Sequence, residues 1–156
     1  MDDEQLKQII LDKTYITAKD LKGVDKFIKD KKGTLTDYLF LKGLINKDLL
    51  GQTIAEYYKI QYTDLSEERI DEEVFNLVPE LVAKSKGVIA FARTEQFVKL
   101  GMRNPSDLEI QHLIEKRVGQ KVIPFYILES DFVEALSYYR AGLQEEFADI
   151  LHQLRD

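Results

Sequence analysis

Few side chains in this sequence are of the types that perform chemistry. The 156 residues include no cysteine and two histidines, His112 and His152. The lack of cysteine excludes disulfides, thiol catalysis and cysteine-ligated zinc, and it fits a reducing compartment. A metal site on either histidine needs further ligands at fitting spacing. His112 lies beside the apolar stripe of a predicted helix, where a partly buried histidine is more common than a ligand or a base.

The motifs that bind nucleotides in enzymes are absent. No G-x-x-x-x-G-K-[ST] phosphate loop and no G-x-G-x-x-G occur, so neither a P-loop ATPase core nor a dinucleotide fold is predicted. Asp71, Glu72 and Glu73 could act as paired acids, but in the first turn of a predicted helix such residues more often offset the helix dipole. The sequence therefore predicts that this chain is not an enzyme and has no catalytic residues, no metal and no cofactor.

Composition and charge limit the location and the partners. Charged residues make up 32% of the chain, hydrophobic residues 44%, and the formal net charge is −6. No apolar run approaches the roughly 20 residues that span a bilayer. The acidic start, Met1-Asp2-Asp3-Glu4, is unlike a signal peptide. We therefore expect a cytoplasmic protein with no direct membrane insertion, and no nucleic-acid partner, since that requires a basic footprint.

Charge is unevenly distributed along the chain. Residues 19–32 hold six lysines against three aspartates, a local charge of +3, and residues 64–73 hold six acids against one arginine, a local charge of −5. Solvated surface is the more common role of such segments. An acidic protein surface could nevertheless use Lys22, Lys26 and Lys29, which we take as candidate partner-binding residues.

Two similar segments, offset by 29 positions, occur in the first sixty residues, at 6–17 and 35–46. Each predicts a short helical hairpin. An apolar helix is followed by a break at Thr14 or Gly43, and an N-capping residue, Thr17 or Asn46, begins a second helix. Residues 1–59 are therefore predicted to form a helical repeat subdomain of two helical hairpins.

Near residue 60 the pattern changes to alternating apolar residues, which indicate β-strands. Residues 60–140 predict the order β-α-β-β-α-β-α, with a β-hairpin formed by residues 88–92 and 97–102. A small sheet with helices on one face accounts for this order, so the predicted fold class is α+β. After the hairpin, Ser106 and Glu109 predict a capping box that begins the next helix.

Two prolines and one apolar stripe define the rest of this subdomain. Pro79 either bends a helix of residues 71–84 or divides it into two. Pro124 places the predicted strand 121–128 at a sheet edge or a bulge, because proline cannot donate to the ladder. The predicted buried stripe of the helix after the hairpin consists of Ile110, Leu113, Ile114 and Val118.

Residues 141–156 predict an acidic C-terminal linker helix. Apolar residues recur there at seven-residue intervals over two heptads, which is weak evidence for a coiled coil. Two interpretations remain open: a helix that folds back on its own domain, and a linker or assembly helix. Phe147 and Leu154 are the candidate partner-binding residues of this segment.

Six short landmarks occur in order over residues 62–139: YTDL at 62–65, IDEEV at 70–74, LVPE at 77–80, VI at 88–89, GMRNPSDLE at 101–109 and YY at 138–139. Their order and spacing resemble the N-terminal domain of type II secretion and type IV pilus assembly ATPases. The helical segment 39–45 is also similar to that family's repeated helical segment.

In that family the domain precedes an ATPase core, which forms a hexamer at the cytoplasmic face of the inner membrane. The domain links this core to membrane-platform proteins. The resemblance therefore implies a non-catalytic regulatory and docking domain that binds an inner-membrane platform or cytoplasmic docking protein. It implies a location peripheral to the inner membrane through partners, and an ATPase core as the route to a homo-oligomer. A generic protein-interaction adaptor is a further alternative.

In some members of the family the helical repeats bind cyclic di-GMP, which makes a cyclic di-GMP sensor the alternative function. The nucleotide-binding repeat opens with Arg-Leu-Gly, whereas the openings here are Gln5-Leu6-Lys7 and Thr34-Leu35-Thr36. Without the arginine's bidentate fork and the close approach of the glycines, the sequence favours no bound nucleotide. If one binds, the resemblance points to Leu35, Leu39, Gly43 and Ile45.

Overall fold

The computed structural model describes the backbone of residues 1–155 and the side chains of residues 1–139 and 150–154. The chain divides into two units, Met1–Gln61 and Tyr62–Asp156. Helices make up the first unit, and the second contains a four-stranded mixed sheet with helices. The predicted α+β class is confirmed.

Four helices are described in the first unit. They are α1 (Asp3–Lys13), α2 (Val24–Lys29), α3 (Leu35–Leu41) and α4 (Lys47–Tyr58). Asp2 and Gln5 form a reciprocal capping box at the start of α1. Asn46 caps α4 as predicted, because its side chain accepts a hydrogen bond from the Leu49 N–H at 2.8 Å. Gly43 has the predicted left-handed conformation after α3, with φ of 66°.

The two halves of the first unit bury equivalent positions that lie 29 residues apart. The buried pairs are Leu6 and Leu35, Ile10 and Leu39, Ile16 and Ile45, and Leu21 and Leu50. The first half departs from the predicted hairpin after Thr17. Thr17 Oγ1 accepts from the Asp20 N–H at 3.3 Å as a cap would, but the backbone continues in i to i−3 turns. Gly23 follows, and its low helix propensity delays the helix until Val24.

The elements of the second unit follow the predicted order, with the first helix divided in two. After strand β1, which spans the boundary between the units, comes a short 3-10 turn, Leu65–Glu67. The elements are β1 (Gln61–Tyr62), α5 (Glu72–Phe75), α6 (Glu80–Lys86), β2 (Val88–Arg93), β3 (Phe97–Met102), α7 (Leu108–Val118), β4 (Lys121–Tyr126) and α8 (Glu129–Arg155).

The sheet has the strand order β1-β4-β3-β2. β2 and β3 form the predicted antiparallel hairpin, with Val88 opposite Met102 and an irregularity between Ala90 and Ala92. β4 runs parallel to β3. Parallel neighbours need a crossover connection, which α7 supplies.

Pro79 and Pro124 act through the missing backbone N–H. Pro79 lies directly before α6, so the predicted helix is divided rather than bent. Pro124 lies in β4, which has neighbours on both sides, so the prediction of an edge strand is wrong. The Tyr126 carbonyl accepts from Thr63 on the β1 side, and Pro124, two residues earlier, faces that same side. Because β1 has two residues, that side of β4 tolerates a proline.

The core of the second unit surrounds β2. Val88, Ile89, Ala90 and Phe91 are all buried although successive residues point to opposite faces. Such a continuous apolar run is typical of a strand covered on both faces. Both faces of this strand are therefore covered, which the predicted arrangement of helices on one face did not by itself require.

The turn between β3 and α7 differs from the predicted capping box. Asp107 caps α7, because its carboxylate accepts from the Ile110 N–H at 3.1 Å. The Ser106 hydroxyl instead donates to the Asn104 side-chain oxygen within a local Asx turn. The helix therefore begins at Leu108, and Ser106 and Glu109 do not form the box.

Helix α8 continues across residue 141 without interruption. Phe132 and Tyr139 pack in the core, whereas residues 150–154 are exposed at five successive positions, more than one helical turn. This end of α8 therefore packs on no described part of its unit, which favours the linker or assembly interpretation. None of the helices that the structure describes is long and apolar enough to cross a membrane.

Candidate functional site

The three candidate lysines form an exposed basic surface, which we call the lysine face. Lys26 and Lys29 lie three residues apart on α2, where side chains share a face, and Lys22 lies in the turn that leads into this helix. All three side chains are exposed. Among the described residues they make no ion pair or hydrogen bond, so their ammonium groups face solvent.

The acids within the same segment have partners of their own. The Thr17 N–H and hydroxyl donate to Asp20 Oδ2 at 2.9 Å and 3.1 Å. Lys7 of α1 lies with its Nζ 2.9 Å from Asp25 Oδ1, and this hydrogen bond raises the pKa of Lys7. The lysine face thus keeps its positive charge beside two acids that are hydrogen-bonded elsewhere.

Three of the four candidate ligand residues are buried, and the fourth is exposed. Leu35, Leu39 and Ile45 are buried in the helical unit, and their side chains contribute to its core. Gly43 is exposed, and a Cβ added there would meet nothing within 4 Å. Nucleotide binding at these four residues stays a prediction.

The candidates on the C-terminal helix fall into two groups. Leu154 is 77% exposed and lies on one helical face with Ile150 and Leu151, which are also exposed. This apolar surface is open to a partner. Phe147 lies outside the residues whose side chains the structure describes.

The sequence did not predict a shallow groove of about 290 Å³ along α7. Lys86, His112, Leu113 and Lys116 are among its lining residues. His112 is exposed, so the prediction of a partly buried histidine is wrong, and Leu113 is 54% exposed although it belonged to the predicted buried stripe. Gln111 is buried instead and donates to the Pro105 carbonyl at 2.9 Å. The spacing of apolar residues could not predict that Gln111 is buried, because its burial depends on the hydrogen bond to Pro105.

No cluster of three or more histidine, cysteine, aspartate or glutamate side chains in the described part of the chain could hold a metal ion. The candidate partner surfaces consist of lysine side chains and of exposed apolar side chains. Such groups bind other macromolecules through charge and apolar contact.

The model of the MshEN domain family matches residues 58–146, which is more than half of the chain. The chain belongs to the MshEN domain family. The match begins at the last residue of α4 and includes all four strands and all six landmarks. The lysine face and the four candidate ligand residues precede residue 58, so the family match does not cover them.

A relative of this chain is a pilus assembly ATPase. The type IV pilus assembly ATPase PilB of Thermus thermophilus is 28% identical over 145 residues, which cover 90% of this chain. The chain spans about 16% of the length of that relative. The resemblance to N-terminal domains of this group of ATPases is thus confirmed.

Two solved structures share the fold. The structure of MshE with cdg matches with a TM-score of 0.59 at 19% identity, covering 86% of this chain and 97% of that one. The N-terminal domain of XpsE matches with a TM-score of 0.53 at 14% identity, covering 86% of this chain and 93% of that one. At these identities the similarity establishes the α+β fold of the MshEN protein.

Proposed function

We propose that this MshEN protein is a non-catalytic docking and regulatory domain of a type II secretion or type IV pilus assembly motor. It binds an inner-membrane platform protein or a cytoplasmic docking protein of that machine. The observation that carries the proposal is the family match together with the 28% identity to a pilus assembly ATPase over 90% of the chain. The domain is then cytoplasmic and peripheral to the inner membrane through its partner, and an ATPase core accounts for any homo-oligomer.

Two surfaces are proposed to contact the partner. The lysine face presents Lys22, Lys26 and Lys29 as exposed cations in a chain of net charge −6. The end of α8 presents Leu154 with its exposed apolar neighbours. Each surface is suited to docking by itself, because exposed charges attract an oppositely charged partner and exposed apolar side chains are buried on contact. Phe147 extends the second surface by sequence alone.

The test is capture of candidate platform proteins by the purified chain. Changing Lys22, Lys26 and Lys29 together to glutamate should weaken capture at least tenfold, because three attractive contacts become repulsive. A matched variant with Lys86, Lys116 and Lys121 changed to glutamate alters the net charge equally at exposed positions of the second unit. Equal capture by both variants would remove the lysine face from the proposal, and ATP turnover by this chain alone would contradict its non-catalytic role.

Binding of cyclic di-GMP is the second candidate function. The fold similarity to MshE, solved with cdg, which we read as cyclic di-GMP, supports it. Gly43, with an open left-handed backbone, also allows the close approach of a ligand. The test is isothermal titration calorimetry with cyclic di-GMP at high micromolar concentration. Binding heat that the native chain gives and the Gly43→Val variant does not would support this function. A silent titration would dismiss it.

A further inference from the structure

Asp25 borders the lysine face, yet it is paired elsewhere. It precedes Lys29 by four residues on α2, which is the spacing and order in which an acid and a lysine pair best on a helix. The pair that forms is with Lys7 of α1, whose Nζ lies 2.9 Å from Asp25 Oδ1. Lys7 thus takes the carboxylate that would otherwise neutralise Lys29.

Lys7 is well placed to hold this acid. Its side chain is 18% exposed, whereas that of Asp25 is 87% exposed, so the lysine stem is fixed by packing and the carboxylate reaches toward it from solvent. Glu4, one turn earlier on α1, lies 3.4 Å from the same ammonium group. A pre-positioned cation loses less side-chain entropy on pairing than a free surface lysine such as Lys29.

A second acid is withheld in the same way. Asp20 precedes the lysine face and accepts two hydrogen bonds from Thr17, at 2.9 Å and 3.1 Å. These bonds belong to the turn that leads toward α2. Two of the three aspartates between residues 19 and 32 are therefore committed to the fold of the helical unit.

We infer that Lys7 and Thr17 keep the lysine face open for a carboxylate-rich segment of a partner protein, by holding Asp25 and Asp20 away from its ammonium groups. This inference rests on the proposed docking function and names the chemistry of the partner. An ammonium group pairs with a single carboxylate as a point charge and needs no fork geometry. The formal net charge of −6 argues against nucleic acid, which binds through a basic footprint.

The probe is a fluorescent peptide of Glu-Glu-Ala repeats, titrated with the full chain and followed by anisotropy at about 50 mM salt. Lys7→Gln should weaken binding roughly two- to fivefold, because one cation is lost and Asp25 is freed to pair with Lys29. Lys13→Gln is the matched control, since Lys13 lies on the same helix and pairs with Glu56 at 3.4 Å. It changes the net charge equally and should alter binding less than Lys7→Gln. Adding Asp25→Asn to Lys7→Gln should restore binding, and Lys7→Arg should retain it.

Several outcomes would overturn the inference. Equal weakening by Lys7→Gln and Lys13→Gln would reduce the effect to net charge, and an Asp25→Asn change that restores nothing would remove the competition for Lys29. Tighter binding to a single-stranded oligonucleotide or to phosphatidylserine vesicles than to the peptide would assign the face to another class of partner. Loss with Lys7→Arg, or a thermal midpoint lowered by Lys7→Gln alone, would make Lys7 a structural residue.

The peptide assay separates this inference from the proposed function. If Lys7 controls peptide binding but no platform protein is captured, the docking proposal fails alone. If a platform protein is captured through the lysine face while Lys7→Gln and Lys13→Gln behave alike, the inference about Lys7 fails alone.

Discussion

Tyr139 joins α8 to the chain before α6 through one buried hydrogen bond. Its hydroxyl donates to the Val78 carbonyl at 2.6 Å, and its ring packs on Phe75 with centroids 4.1 Å apart. Burial first, and the Glu80 carboxylate second, raise the pKa of Tyr139 to about 12. The folded state therefore favours the protonated, neutral form of this hydroxyl.

We expect Tyr139→Phe to lower the free energy of unfolding by about 1 to 3 kcal/mol, because the buried Val78 carbonyl loses its donor. Urea denaturation followed by circular dichroism measures this difference. Tyr138→Phe is the control, since Tyr138 also touches Phe75 but is exposed. A loss as large in the control would mean that the Val78 bond contributes little.

The same bond predicts a pH dependence. The pKa of Tyr139 in the folded protein is raised above the usual tyrosine value of 10.0 to about 12. The contribution of this bond is therefore complete below about pH 10 and decreases as pH rises toward about 12. The difference in unfolding free energy between the native chain and Tyr139→Phe should therefore shrink across that window. A difference that stays constant from pH 9 to pH 12 would contradict the assignment.

Arg103, the arginine of the GMRNPSDLE landmark, ties the end of β3 to the start of α8. One of its terminal nitrogens donates to both Glu129 carboxylate oxygens at 2.9 Å and 2.8 Å, and the guanidinium lies 4.3 Å from the Phe132 ring centroid. Its Nε packs against Gly87, where an added Cβ would lie 2.4 Å away. Gly87 ends α6 with φ of 67°. The glycine is thus required both by the turn and by the arginine that packs on it.

Gly87→Ala and Gly119→Ala separate these two requirements. Gly119 ends α7 with φ of 76°, and nothing lies within 4 Å of an added Cβ. We expect Gly119→Ala to cost about 1 to 2 kcal/mol, the strain of a left-handed backbone. Gly87→Ala should cost more, because the arginine must also move. Unfolding free energies in urea compare the two, and equal losses would show that Arg103 shifts freely.

At the scale of elements, the sequence predicted what depends on local patterns and missed what depends on neighbours. The β2–β3 hairpin and the Asn46 cap follow from alternation and side-chain chemistry, and both are confirmed. The interior position of Pro124 depends on where β1 pairs, which no local pattern encodes. Ser106 and Asp107 are both residues that cap helices, and the structure uses Asp107 as the cap while the Ser106 hydroxyl donates to Asn104.

The candidate surfaces show the same division. Runs of lysine are visible in the sequence, so the lysine face could be located from residue types alone. The capture of Asp25 by Lys7 joins residues 18 positions apart on different helices and required the structure. The groove along α7 was missed because its exposed Leu113 had the spacing of a core residue.

At the scale of the whole molecule, the two units differ in size and in the number of apolar side chains that they bury. Every residue of the continuous apolar core cluster in the second unit lies between Leu65 and Tyr139. A domain of this size buries roughly 60 to 70% of its unfolded surface, which is enough to fold without disulfides or metals. The helical unit, at about sixty residues, is at the lower limit of that range.

We therefore expect a fragment of residues 60–156, which retains β1, to fold alone with a cooperative urea transition and well-dispersed amide resonances. A fragment of residues 1–59 should unfold at lower urea concentration, because fewer apolar side chains are available for its core. A non-cooperative transition of the longer fragment would mean that its core needs the helical unit. A cooperative transition would show that the second unit folds without the helical unit. Substitutions on the lysine face of the helical unit would then leave the fold of the second unit unchanged.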